Sequence, residues 1–113
     1  MSERITLPGG DYDKVKSGQK TMIVRTPSSR LNVRVNDWVP MRFSGRDDHV
    51  VVEISGIEWV RFSELSDKIA CKCGFNNLRD LKRCLLDKFV TLDNGSMLYL
   101  YGFEVMGVCE KVK

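Results

Sequence analysis

The sequence has no long hydrophobic run. No stretch approaches the roughly 20 consecutive apolar residues that a helix needs to cross a bilayer. The amino-terminal residues MSERITLPGG also lack the charged-then-apolar pattern of a secretory signal. We therefore expect a cytoplasmic protein that does not bind a membrane.

Histidine and cysteine are scarce, and their spacing argues against a metal site. His49 is the only histidine, and it follows two aspartates in a segment that reads as a loop. Of the four cysteines, only Cys71 and Cys73 form a close pair, as a single C-x-C, whereas structural zinc sites usually repeat a C-x-x-C knuckle. The other two are Cys84 and Cys109. The sequence predicts reduced thiols, no metal and no cofactor.

Length and composition are those of one small globular domain. A chain of 113 residues cannot divide its apolar content between two cores. Its content of 42% hydrophobic and 29% charged residues excludes a disordered or membrane-embedded chain. We expect residues 1–113 to form a single domain.

The charge is distributed unevenly along the chain. Residues 1–46 contain nine Lys and Arg against four Asp and Glu, a balance of +5, whereas residues 47–113 contain nine against eleven, a balance of −2. The two balances give the net charge of +3. The amino-terminal part is therefore the place to look for an anionic ligand.

Five segments are predicted to be strands and three to be helices. The strands cover residues 4–7, 20–26, 38–43, 50–60 and 97–108, with Pro40 indicating an edge or a bulge and Gly56 a bulge or a bend. One helix covers residues 11–17, a second starts at Glu64 after a Ser63 cap, and a third follows an Asn77 cap. This order predicts an α+β domain in which a small sheet curls around its core, with flanking helices.

The segment GQKTMIVR at residues 18–25 places Lys20 and Arg25 at the two ends of a predicted strand. On composition alone, they are a pair of solvated strand ends. Their odd spacing also puts them on opposite faces of a regular strand. They can converge on one cleft only if the strand has a bulge or if Lys20 lies before the strand proper.

The same segment, with NDWV at 36–39, FSEL at 62–65 and YGFEV at 101–105, resembles the pattern of the ASCH family. In that family a G-x-K-T-x-x-x-R segment is followed by a G-D turn, a strand, a helical insert and a closing strand. The resemblance spans residues 4–106. It implies a small PUA-like β-barrel of about five strands, with a cleft between barrel and helices that holds RNA. Lys20, Thr21 and Arg25 are the positions that carry over.

One branch of the family is known as an acetylcytidine amidohydrolase, and it uses a lysine, a threonine and a glutamate. Here the match to Lys20 holds, but Ile23 stands at the position of the nucleophilic threonine and has no hydroxyl group. The catalytic glutamate would fall near residues 73–75, where there is no carboxylate. Catalysis would need Thr21 as a substitute nucleophile with Lys20. Glu53, Glu58 and Glu64 stay open as general bases.

The predicted ligand-binding residues include further arginines, which would form a basic rim around the cleft. Arginines contact phosphates through charge and bidentate hydrogen bonds, and aromatic rings stack on unpaired bases. Trp38 and Phe43 lie among the arginines as stacking candidates, although a core position is favoured for Trp38. The full set is Lys20, Thr21, Arg25, Arg30, Arg34, Trp38 and Arg42, with Arg46 as a further rim residue.

Three functions are left open by the sequence. The first is binding of RNA, a single-stranded nucleic acid, a nucleotide or a nucleoside, because a basic cleft alone is enough for it. The second is hydrolysis of a modified nucleoside or of RNA, which also needs a nucleophile in register with Lys20. The third is a protein-interaction module, which has no sequence feature of its own.

Overall fold

The computed structural model describes residues 4–89 and 91–109. Eight helices and strands follow one another in the order β, α, β, β, β, α, α, β, as the sequence predicts. They are β1 (Ile5–Leu7), α1 (Tyr12–Lys16), β2 (Met22–Arg25), β3 (Trp38–Phe43), β4 (His49–Arg61), α2 (Asp67–Lys72), α3 (Leu78–Lys88) and β5 (Met97–Cys109). Short 3-10 turns at Gly9–Asp11, Pro27–Ser29 and Phe62–Glu64 join some of them.

The five strands form one mixed sheet in the order β1-β3-β4-β5-β2. The pairing of β1 with β3 is parallel, and the other three pairings are antiparallel. The β4–β5 ladder shifts register between Val51 and Val52 and again between Ile54 and Gly56. The second shift confirms the irregularity predicted at Gly56, and such bulges bend and twist a strand pair.

Two hydrophobic cores lie on opposite sides of the curled sheet. The first lies on the side of α1 and includes Ile5, Val15, Met41, Val52 and Phe103. The second lies between the other side and the helices α2 and α3, and it includes Leu65, Ala70, Leu81, Leu85, Leu98 and Leu100. β5 contributes to both because successive side chains on a strand point to opposite faces.

The predicted α+β class and the five strands are confirmed, but the predicted barrel is not closed. β1 and β2 are the two edges of the sheet, and no ladder joins them within residues 4–89 and 91–109.

The position of Pro40 also fits this topology. β1 pairs with β3 only from Met41 onward, so at Pro40 the strand has β4 as its one neighbour and the missing N–H breaks no ladder.

One helix start is predicted wrongly and one correctly. Residues 62–64 form a 3-10 turn, and α2 begins at Asp67, where Ser66 Oγ accepts a hydrogen bond from the Ile69 N–H over 3.3 Å. Asn77 does cap α3, since its Oδ1 accepts from the Asp80 N–H over 2.9 Å. No helix in the described part of the chain is long and apolar enough to span a bilayer.

Candidate nucleotide-binding cavity

A cavity of about 260 Å³ lies where the sheet is open, between the edge strands β1 and β2. The cavity fills the gap between these two strands, and residues of the helices form the wall opposite the gap. The lining residues are Thr6, Leu7, Pro8, Asp11, Lys14, Lys20, Ile23, Val24, Arg25, Cys73, Gly74, Phe75, Leu81, Cys84, Leu85 and Lys88.

Lys20 and Arg25 both line this cavity. Their opposite parity does not separate them, because β2 begins at Met22 and Lys20 lies in the turn before it. The turn follows Gly18, whose φ of 83° is the left-handed conformation that glycine adopts without strain. The chain thus enters β2 with the lysine already directed into the gap.

The ammonium group of Lys20 is buried and held from two sides. It donates a hydrogen bond to the carbonyl oxygen of Cys73 over 2.9 Å, and it lies 3.7 Å from Asp11 Oδ2. The ring of Phe75 faces it, with 5.8 Å between Nζ and the ring centroid. A buried ammonium needs such partners, because desolvation disfavours an unpaired charge.

These contacts join the carboxyl end of α2 to the start of β2. Gly74 ends the helix with a φ of 88°, and the Phe75 N–H donates back to the Ala70 carbonyl over 2.9 Å. Lys14 Nζ donates to the Gly74 carbonyl over 3.1 Å, and the Thr21 N–H donates to the Lys72 carbonyl over 2.7 Å. Cations are favoured at the carboxyl end of a helix, where its carbonyl groups lack helical partners.

Arg25 ends β2 and is a second cation of the cavity lining. Its Nε is buried without a hydrogen-bond partner among the described residues. A buried donor without a partner costs free energy. Nε itself is closed to solvent, so a ligand in the cavity would meet the rest of this half-buried side chain, which lines the wall.

Cations outnumber carboxylates around the cavity. Lys14, Lys20, Arg25 and Lys88 line it together with a single carboxylate, Asp11, which leaves a balance of +3. The remaining lining residues are uncharged. A concave site with one sign of charge concentrates counter-ions of the other sign, so the cavity favours anionic ligands.

Cys73 is a thiol in this cavity and a poor nucleophile. Burial raises its pKa from 9.0 to about 11, while the positive charge of Lys20 lowers it by less. The thiolate is the reactive form, and at neutral pH this side chain is protonated almost completely. The carboxylate that the amidohydrolase branch needs at residues 73–75 is thus replaced by an inert thiol and a ring.

Thr21 does not line the cavity. It lies in a neighbouring depression of about 220 Å³, together with Ser55, Glu58 and Lys72. Of the other two glutamates, Glu53 accepts a hydrogen bond from Trp38 and Glu64 from the Arg61 N–H. The two predicted catalytic residues therefore line different depressions, Lys20 the cavity and Thr21 its neighbour.

The predicted rim arginines lie away from the cavity. Arg30, Arg34 and Arg42 are exposed, and they are absent from its lining. Arg46 is also exposed, and it pairs with Asp48 over 2.7 Å and covers the ring of Tyr12.

The preference for Trp38 in the core is wrong. Its side chain is 57% exposed, and its Nε1 donates to Glu53 Oε2 over 2.9 Å. Strand parity explains this, since Val39, Met41 and Phe43 take the buried face of β3 and leave the alternate positions outside. Phe43 is buried and is not a stacking surface.

Four charged or aromatic residues of the lining are not among the predicted site residues: Asp11, Lys14, Phe75 and Lys88. The sequence predicts Asp11 as the start of the helix over residues 11–17, and it singles out no function for Lys88. No local signal connects them, because they come from three separate segments that meet only when α3 packs over the open side of the sheet.

Metal-binding side chains do not gather in the described residues. No three His, Cys, Asp or Glu side chains lie close enough there to hold an ion. All four cysteines are free thiols, with Cys73 buried and Cys71 and Cys109 exposed.

Comparison with known proteins finds similarity in structure rather than in sequence. No family model and no curated protein matches the chain. An ASCH domain from Lactobacillus crispatus JV V101 superposes with a TM-score of 0.72 at 15% identity, covering 82% of this chain and 68% of that one. A protein of Enterococcus faecalis V583 from the DUF984 family superposes with a TM-score of 0.76 at 12% identity, covering 100% and 86%.

These two likenesses establish the fold. The chain has the α+β fold of an ASCH domain, as its glycine, lysine and arginine pattern suggests. At such low identity the likeness does not extend to ligands or reactions, which rest on the geometry of the cavity.

Proposed function

We propose that this domain binds RNA or a nucleotide, with one nucleotide held in the cavity between β1 and β2. The observation that carries the proposal is the cavity itself, which has a charge balance of +3 and includes the side chain of Arg25 in its lining. A phosphate or a base carbonyl is the kind of group that a guanidinium binds with paired hydrogen bonds.

The size of the cavity supports a small ligand. Its volume of about 260 Å³ is slightly below the roughly 300–1,000 Å³ of typical small-molecule sites. A single nucleotide or nucleoside matches this scale, whereas a duplex does not enter. Phe75 adds a ring beside the charged groups, and aromatic rings hold unpaired bases by stacking.

Within the proposed site, Arg25 and Lys20 have different tasks. Arg25 contacts the anionic or carbonyl group of the ligand. Lys20 donates one of its three N–H groups to Cys73 and has a carboxylate at 3.7 Å, so it shapes the wall and still has donors for the ligand. Arg30, Arg34, Arg42 and Trp38 stay proposed contacts for those parts of an RNA that extend beyond the cavity.

Hydrolysis is the weaker proposal. Ile23 lines the cavity and stands at the position of the nucleophilic threonine in the amidohydrolase pattern that the chain resembles. Thr21 lies in another depression, and Cys73 is protonated at neutral pH. Binding needs none of these groups. We place this binding activity in the cytoplasm, where the free thiols stay reduced.

Calorimetric titration with uridine monophosphate and with a six-nucleotide oligouridylate tests the proposal. We expect Arg25→Ala to weaken binding of both ligands about tenfold or more, since a charge-assisted pair is lost. Arg25→Lys should restore part of the affinity because it keeps the charge but not the planar fork. Binding of the oligonucleotide should also weaken as salt rises.

Arg42→Ala is the matched control, because Arg42 is an exposed arginine on the sheet that does not line the cavity. It should leave binding of the mononucleotide unchanged. Equal losses of mononucleotide affinity for Arg25→Ala and Arg42→Ala, or no binding of either ligand to the unmodified protein, would contradict a nucleotide site in this cavity.

A further inference from the structure

Arg25 belongs to a row of side chains that leads away from the cavity across the sheet. It pairs with Tyr99 of β5, and Tyr99 pairs with Trp59 of β4. Directly opposed residues of antiparallel strands point to the same face. Since neighbouring strands lie about 4.8 Å apart, the row extends about 10 Å from the cavity to Trp59.

Three aromatic rings contact one another in series along this face, one pair tilted and the other stacked. The ring centroids of Trp59 and Tyr99 are 4.9 Å apart with an interplanar angle of 33°, and those of Tyr99 and Tyr101 are 6.1 Å apart at 22°. Tyr101 is buried, and its hydroxyl accepts from the Leu31 N–H over 3.0 Å. The inner end of the stack is thus fixed by packing and hydrogen bonding.

The outer end of the stack is open to solvent. Trp59 is 56% exposed, although it stands in a sheet on a rigid aromatic base. An exposed, preorganised indole loses little conformational entropy when a flat ligand covers it. The guanidinium of Arg25 in the same row adds positive charge between this indole and the cavity.

We propose that Trp59, supported by Tyr99 and Tyr101, stacks on a base of single-stranded RNA next to the nucleotide held in the cavity. Arg25 contacts the strand between the two positions. This inference rests on the proposed binding of a nucleotide in the cavity, and it narrows the ligand to an RNA strand of at least two nucleotides. Aromatic platforms beside cations are the general means of holding single strands.

The two tryptophans of the chain allow a matched test. Trp38 and Trp59 are 57% and 56% exposed, so they differ in position rather than in accessibility. Trp38→Phe leaves Trp59 as the fluorophore, and Trp59→Phe leaves Trp38. We expect hexauridylate to quench the fluorescence of Trp38→Phe strongly and that of Trp59→Phe little, whereas uridine monophosphate quenches neither.

Affinity supplies the second measurement. Trp59→Ala should weaken hexauridylate binding about tenfold and leave uridine monophosphate binding unchanged, because stacking on one base is lost. Trp59→Phe should restore part of the affinity. Trp38→Ala, at matched exposure, should weaken hexauridylate binding less than Trp59→Ala does.

The outcomes separate this inference from the proposal it rests on. If uridine monophosphate binds through Arg25 but Trp59→Ala leaves hexauridylate affinity unaltered, the stacking surface is refuted and the cavity stands. If hexauridylate quenches Trp59 but uridine monophosphate does not bind, the strand is held without the cavity. Unaltered fluorescence of Trp38→Phe on addition of hexauridylate, or no binding of hexauridylate, would refute the stacking surface.

Discussion

The ammonium group of Lys20 donates a hydrogen bond to the carbonyl oxygen of Cys73, 53 positions further along the chain. The bond joins the turn before β2 to the carboxyl end of α2, and both partners line the cavity. The lysine that the family resemblance singles out therefore has a structural role in addition to any contact with a ligand.

Replacing Lys20 by methionine should destabilise the protein. The change removes a buried, charge-assisted hydrogen bond and leaves the Cys73 carbonyl without this donor, at a cost of about 2 kcal/mol. Lys14→Met is the matched control, because Lys14 makes a similar bond to the Gly74 carbonyl from a less buried position. We expect a loss less than half as large for that variant. Urea denaturation measures both.

If Lys20→Met and Lys14→Met lower the free energy of unfolding by similar amounts, the Lys20–Cys73 hydrogen bond adds nothing to the general stabilisation by a cation near the carboxyl end of a helix. The stability measurement also qualifies any binding experiment on Lys20. A loss of affinity in Lys20→Met reports on the ligand only at temperatures where the variant is fully folded.

The raised pKa of Cys73 predicts a pH dependence of stability. Burial holds the pKa at about 11 in the folded state, above the ordinary 9.0. Between these values the folded state binds more protons at this thiol than the unfolded state does, so the free energy of unfolding falls as the pH rises through this window. The contribution is fully present below about pH 9.

Cys73→Ala isolates this effect from the lysines and tyrosines that titrate in the same range. Urea unfolding at pH 8, 9 and 10 should show a decline that is steeper in the unmodified protein than in Cys73→Ala, by up to about 1.4 kcal/mol per pH unit. Parallel declines in the two proteins would contradict a raised pKa at Cys73.

The sequence predicts those parts of the fold that depend on local signals. The five strands and the Asn77 cap follow from β-branched runs and from capping chemistry, which act over a few residues. The start of α2 was predicted three residues too early because Ser63 and Ser66 are both acceptable caps. Only packing against the sheet decides between them.

The site was less predictable because it depends on strand register and on contacts between distant segments. The row of Arg25, Tyr99 and Trp59 exists only once β2, β5 and β4 are aligned. Asp11 and Phe75 reach Lys20 from elements far apart in the sequence. The exposure of Trp38, by contrast, could have been inferred, since the alternation of Val39, Met41 and Phe43 assigns it to the outer face.

Asn36 occupies a backbone conformation that the family resemblance helps to explain. The ASCH pattern has a Gly-Asp turn where this chain has Asn36-Asp37, and Asn36 adopts a φ of 77°. Asp37 closes the turn, since its Oδ2 accepts from the Arg34 N–H over 2.9 Å. After glycine, asparagine is among the residues that adopt the left-handed region most readily.

Asn36→Ala should therefore destabilise the protein by about 1 kcal/mol, whereas Asn36→Gly should be neutral or slightly stabilising. Asn32→Ala, in the same exposed loop but without a positive φ, should have little effect. Thermal or urea unfolding of the three variants measures the differences. Equal losses for Asn36→Gly and Asn36→Ala would mean that the amide group stabilises the turn, because both variants lack it and only one relieves the backbone.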